Sequence, residues 1–257
     1  RLDLGGSAYT VDGACASSLL ALDHSVRDLR SGRADIALVG GIHLSHDVAF
    51  WSVFCQLGAL SRTEQIRPFS ADADGILIGE GLGFLVLRRL EDAVEAGQRI
   101  YAVIRGVGIS SDGRSASLMS PSSSGQLLAL ERAWESAQLD PKTVGVGEAH
   151  GTGTPVGDAV ELETLRAFFG PVGEGDIRGT LGSVKSMIGH AMPASGMASL
   201  IKTALSIYHK TRLPSLHCES PHPLVEQTRF ELLSSAAPWA STTPRRGAVN
   251  AFGFGGI

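Results

Sequence analysis

The strongest constraint on the fold is a repeated alternation, in which short strand-like runs give way to helical ones through glycine-rich joints. The run "ADIALVGGIHL" is continuously apolar, as a strand covered on both faces requires. "ILIGEGLGFLVLRRLEDAVEAG" reads as a glycine-interrupted strand followed by a helix that stops at Gly97. A helix over residues 16–30 places Leu19, Leu22, Val26 and Leu29 on one stripe. Strands are expected at residues 8–11, across "RIYAVIRGVGISSDG", before His150, before Lys185, and twice more near the end of the sequence. Further helices are expected at residues 126–137, 158–168 and 195–208. Such alternation predicts a layered α/β fold.

Composition narrows the possible functions. Hydrophobic residues make up 43% and charged ones 19% of 257 residues, which is ample for a core. A net charge of −4 without a basic block argues against nucleic acid or an anionic membrane as the main partner. No apolar run approaches a membrane span, and no leader opens the chain. Cys15, Cys55 and Cys218 form no CxxC pair, so neither a disulfide framework nor a cysteine zinc site is expected, and a cytoplasmic location suits them. The polar stretch "SDGRSASLMSPSSSG" is the expected internal boundary, dividing the chain into 1–120 and 121–257. His217, Cys218 and His222 in "LHCESPHP" lack metal-ligand spacing and read as a loop.

Four strand-to-helix joints present reactive groups. "VDGACASS" presents Cys15, "EAHGTGTPVGD" His150, "SVKSMIGHAMPASG" Lys185 and His190, and "NAFGFGG" a tight turn with two phenylalanines. Ligand sites of open α/β sheets gather outside strand ends, so these joints are candidates to converge. A thiol at a helix start is expected to favour the thiolate and to accept an acyl group from a thioester. Two imidazoles donating from Nε are suited to an enolate oxygen, and the backbone amides of the cysteine turn and Gly-Phe-Gly loop to an oxyanion. Each group also has a plainer reading. The cysteine is a small buried hydrophobe, each histidine a structural hydrogen-bonder, the phenylalanines core residues, and Lys185 a partner of Asp158 or Glu161.

Taken together, "VDGACASSLLAL", "RPFSADADGILIGEGLGFLVL", "EAHGTGTPVGD", "GSVKSMIGHAMPASG" and "NAFGFGG" resemble the β-ketoacyl synthases of polyketide and fatty acid synthesis, including polyunsaturated fatty acid synthases. The resemblance runs through nearly the whole chain in the family's order. It implies a thiolase-like α-β-α-β-α layering, truncated at both ends, with 1–120 the remainder of the nucleophile-bearing half and 121–257 an incomplete second half. It implies Cys15 as acyl acceptor, His150 and His190 as the pair that promotes malonyl decarboxylation, and Lys185 as electrostatic organiser. Thr152 and Thr154 match the threonines that hold a phosphopantetheine arm. Phe254, between Gly253 and Gly255, matches the gating aromatic of the oxyanion loop. No metal or other cofactor is implied for the domain, since the phosphopantetheine belongs to an acyl carrier protein. A homodimer with residues 7–11 near its interface is implied, and the isolated fragment is expected to be poorly soluble and inactive. Ala16, Met187 and Ile257 depart from the commonest polyketide pattern and hint at an iterative or polyunsaturated-fatty-acid type. A silent thiolase-fold partner, an interaction module, a thiolase proper and a Cys15–His150 protease are the alternatives. The retained cysteine, two histidines and lysine weigh against them.

Overall fold

The structure is a computed structural model that describes residues 3–44, 47–113, 120–173 and 177–257. Its first helix, α1 (Ser17–Arg30), forms where expected, with Leu22 and Leu29 buried on the predicted stripe and an Asp23–Arg27 ion pair one turn apart at 2.6 Å. A chain reversal through Gly32, at φ 72°, leads into β1 (Ile36–His43). Next comes α2 (Val48–Gln56), whose N-cap Asp47 accepts the Ala49 amide at 2.7 Å. β2 (Gly81–Arg88) returns antiparallel to β1, Ile36 facing Arg88 and His43 facing Gly81, and α3 (Leu90–Glu95) follows.

The second half carries α4 (Ser123–Ala137), β3 (Val146–Glu148), α5 (Pro155–Phe169), β4 (Gly179–Gly182), α6 (Lys185–Ile188) and α7 (Ser195–Tyr208). The short strands β5 (Thr211–Arg212), β6 (Phe230–Leu232), β7 (Ala237–Pro238) and β8 (Gly247–Val249) complete it. One sheet has the order β6-β4-β3-β8 with every pair parallel; β5 and β7 pair separately.

The layers follow from what each face buries. α1 and α7 lie between the β1–β2 hairpin and the parallel sheet, joined by Leu22, Val39 and Met197. On the sheet's other side α5 sets Leu162, Leu165 and Phe169 against Leu181 and Phe230, and α4 packs on α5 through Trp134. The described residues thus build sheet, helix, sheet and helix in turn. The hairpin's outer face, with Leu38, Leu82, Phe84 and Val86, is exposed, so the expected cover on both faces of β1 is not formed by them. Parallel strands need helices on both sides, which is why β3 and β4 are fully buried while the hairpin is not.

Two expected strands are absent. Residues 8–11 and 99–113 hold no ladder to a neighbouring strand. Propensity makes them extended, but a strand needs a partner for its amides. Residues 100–110 instead lie across a cavity from the edge strand β8. The stretch read as the internal boundary falls partly on 114–119, outside the described residues. Three short strands rather than two close the chain.

Candidate active site

The cysteine turn is built by its neighbours. Ala14 adopts φ 49°, a left-handed conformation that costs an L-residue energy, and Asp12 Oδ1 holds it by accepting the Ala14 amide at 2.8 Å. Ser17 Oγ accepts from Gly13 N at 3.0 Å and donates to Ala14 O at 2.6 Å. Cys15 therefore sits in a 3-10 turn (Ala14–Ala16) just ahead of α1, 4% exposed. The glycine loop closes directly on this turn: a Cβ on Gly253 would lie 2.3 Å from the Gly13 carbonyl oxygen, so only glycine permits the approach. The amides of Phe254 and of Cys15 itself both face the sulfur.

The histidines enter from two other joints. His150 follows β3, and its Nδ1 accepts the Phe252 amide at 3.2 Å. His190 follows α6 and a turn at Gly189 (φ 74°), and its Nδ1 accepts the Met192 amide at 3.2 Å. A backbone amide can only donate. Both rings must therefore keep the lone pair on Nδ1 and the proton on Nε2. The rings meet edge to face, centroids 5.6 Å apart and planes at 85°. Burial first, then the Lys185 charge, holds both well below the ordinary imidazole value; His150 is also opposed by His190, and His190 by His43. They are neutral donors rather than bases.

Lys185 is fully buried behind the pair, and its ammonium donates to the His150 carbonyl. Burial lowers its pKa, while Cys15, Glu161, Glu148 and Asp158 act the other way. The plainer reading, that Lys185 pairs with Asp158 or Glu161, is not what forms: the ammonium donates to the His150 carbonyl, and the two acids act on it only through their charge. Thr152 and Thr154 place their hydroxyls 3.1 Å apart at the start of α5. Phe254 is about half exposed, its ring 6.2 Å from that of Phe54. Gly255, at φ 99°, turns the chain beyond it.

One cavity of about 1120 Å³ unites these groups: Cys15, His150, His190, Thr152, Thr154, Gly253 and Phe254 all line it. Lys185 and Gly255 do not line it. The outer part of the cavity runs between residues 100–110 and β8, so its volume exceeds that of the chamber around the sulfur.

The expected thiolate is not what this pocket favours. Burial pushes Cys15 up to about 11, against the pull of Lys185 and the two amides. The dipole of α1 acts only near its first turn, and desolvation outweighs it.

Sequence reasoning underrated three acids. Glu161 accepts the amides of His150 and Gly151, both at 2.8 Å, and Asn250 Nδ2 at 3.4 Å. Asp158 accepts Phe69 N at 2.7 Å and the amides of Thr152 and Gly153 at 3.1 Å each. Glu148 accepts Val184 N at 2.6 Å and pairs with Lys202 at 2.7 Å. Their signal was present: Asp158 and Glu161 stand three apart on one helix face, with the glycine-rich loop just before them needing acceptors. His222, read as part of a loop, accepts the Leu224 amide at 3.2 Å and caps a turn.

Residues 1–93 match the N-terminal and residues 101–219 the C-terminal domain of β-ketoacyl synthase. The chain belongs to the β-ketoacyl synthase family. The chain is 40% identical over 271 aligned residues to polyketide synthase PksN of Bacillus subtilis (strain 168), covering 100% of the chain but 5% of that protein. It is 38% identical over 263 residues to a polyunsaturated fatty acid synthase polypeptide of a Thraustochytrium species, covering 99% and 9%. Among solved structures, the ketosynthase from module 6 of the Bacillus subtilis 168 bacillaene synthase superposes with a TM-score of 0.92 at 35% identity, covering 99% of this chain and 46% of that one. The ketosynthase chain thus has the thiolase-type fold and spans about half the length of such solved relatives. Its identities to the two kinds of synthase are nearly equal.

Proposed function

We propose that this chain carries the condensing site of a polyketide or fatty acid synthase. The observation that carries the reading is the shared cavity, whose lining includes a buried thiol and two imidazoles locked as Nε2–H donors.

In the first half-reaction Cys15 Sγ attacks an acyl thioester on a carrier protein. A new S–C bond forms, the bond to the pantetheine sulfur breaks, and the thiol proton leaves with the departing pantetheine. The Cys15 and Phe254 amides stabilise the oxyanion, a contribution of about 2.7–4 kcal/mol per donor. In the second half-reaction a malonyl-type thioester enters with Thr152 and Thr154 on its pantetheine arm. The Nε2–H groups of His150 and His190 hold its thioester oxygen as the carboxylate leaves as carbon dioxide. The resulting enolate carbon attacks the acyl-cysteine, its S–C bond breaks, and the sulfur regains a proton. Lys185 steadies the negative sulfur at both stages.

Pantetheine is the carrier's group, so the domain itself needs no cofactor, and an acyl carrier protein is the partner. Homodimerisation belongs to the same reading, with exposed Tyr9 inside the proposed interface segment, residues 7–11, and exposed Leu4 just before it. So does a cytoplasmic setting, where Cys15, Cys55 and Cys218 stay free. Among the described residues no helix is long and apolar enough to cross a membrane.

The test follows carbon dioxide release from carboxyl-labelled malonyl carrier together with acyl transfer from labelled acyl carrier. His150→Ala and His190→Ala are each expected to slow release by about 10²–10³-fold. Cys15→Ser is expected to abolish the acyl-enzyme. Acylation at another residue, or release indifferent to both histidines, sinks the proposal.

A further inference from the structure

The two imidazoles are not held alike. His150 Nδ1 accepts one hydrogen bond, from the Phe252 amide. His190 Nδ1 accepts the Met192 amide and also lies 2.7 Å from Ser195 Oγ. Since the amide already requires a lone pair on Nδ1, the Ser195 hydroxyl must donate too. Both Ser195 and His190 are buried, so water does not compete for the bond.

Local structure explains why a residue five positions later returns to the ring. The chain reverses through a 3-10 turn (Met192–Ala194) with Met192 at φ 44°, and Ser195 is the first residue of α7. Its side chain thus faces back onto the imidazole that precedes the turn.

Two donors on Nδ1 have two consequences. They draw electron density from the ring, so Nε2–H becomes a stronger hydrogen-bond donor. They also oppose the imidazolium, whose Nδ1–H would meet the Met192 N–H head on; the Ser195 hydroxyl can rotate to accept, but the amide cannot. The ionisable groups acting on His190 work in the same direction: Lys185 and His43 electrostatically, with the His150 ring against its edge.

We propose that Ser195 is a positioning residue that makes His190 the stronger and less basic donor of the pair, leaving His150, with its single backbone donor, the more adaptable imidazole. The assignment rests on the reading that both Nε2–H groups serve a thioester oxygen.

The test uses this chain labelled with ¹⁵N-histidine, unaltered and as Ser195→Ala and Ser195→Thr. Imidazole resonances are followed from about pH 5 to 8, where an unperturbed ring titrates, and malonyl decarboxylation is measured in parallel on the synthase that carries this chain. In Ser195→Ala the His190 Nδ1 resonance moves toward that of a weaker acceptor and the ring titrates at higher pH. The decarboxylation kcat falls about tenfold with KM unchanged, the size of one lost hydrogen bond. Ser195→Thr, which keeps the hydroxyl, restores both. An alanine variant with unchanged His190 resonances overturns the assignment, as does a loss of kcat that threonine fails to rescue. A His190 that responds as described in a synthase whose carbon dioxide release is indifferent to His190→Ala overturns the functional reading and leaves Ser195 as the residue that sets the ring.

Discussion

The protonation state of Cys15 can be read directly from its alkylation rate. Only the thiolate attacks iodoacetamide, so the rate follows the ionised fraction. With the thiol pushed up to about 11, roughly one molecule in a thousand is ionised at pH 8, against about a quarter for a thiol near 8.5. A more basic thiolate is intrinsically more nucleophilic, by roughly tenfold over this difference. The net expectation at pH 8 is roughly twentyfold slower reaction before access is considered. The slope is the cleaner signature. Labelling at Cys15, followed by mass spectrometry of its peptide between pH 7 and 10, should rise about tenfold per pH unit without a plateau. Lys185→Met removes the cation that opposes burial, and should slow labelling by about three- to tenfold near pH 7, the gap narrowing toward pH 10 as the buried ammonium of the unaltered chain loses its proton. A rate that levels off at or below pH 8 would refute the claim that desolvation outweighs the ammonium and the two amides.

Three further outcomes are expected. Lys202→Met strands Glu148, whose side chain is 1% exposed, and should cost about 3–5 kcal/mol in urea unfolding, while a Glu148→Gln, Lys202→Met double variant recovers part of it. Burial beside Glu161 raises Asp158 to about 7, so the folded chain holds a proton there that the unfolded chain has released. Its contribution is therefore full below about pH 4 and lost as pH rises toward 7, and the unaltered chain should lose stability relative to Asp158→Asn by about 1.4 kcal/mol per pH unit between pH 5 and 7; a relative gain with pH contradicts this. Gly253→Ala drives a Cβ toward the Gly13 carbonyl, and should cost about 1–3 kcal/mol and alter Cys15 labelling, since the two loops must part.

Much of the candidate site was legible because its signals are local. Small residues around Cys15, glycines around His150 and His190, and the α1 leucine stripe each report the backbone they sit on, and their order carried the family resemblance. The missed parts depend on neighbours distant in sequence. Residues 99–113 have strand propensity, but no ladder forms beside them. Asp158 reads in the sequence as a partner for Lys185, yet it accepts the Phe69 amide from 89 positions away.

By itself, then, the sequence determined which groups are available: a thiol, two imidazoles and an ammonium, each at a strand-to-helix joint, within an alternating α/β chain of the β-ketoacyl synthase family. Only the tertiary structure decided the states of those groups. The Phe252 and Met192 amides assign the imidazole protons, and burial keeps the Cys15 proton in place despite Lys185. Residue order dictates local geometry, but desolvation and long-range hydrogen bonds exist only once the joints have been packed around one cavity.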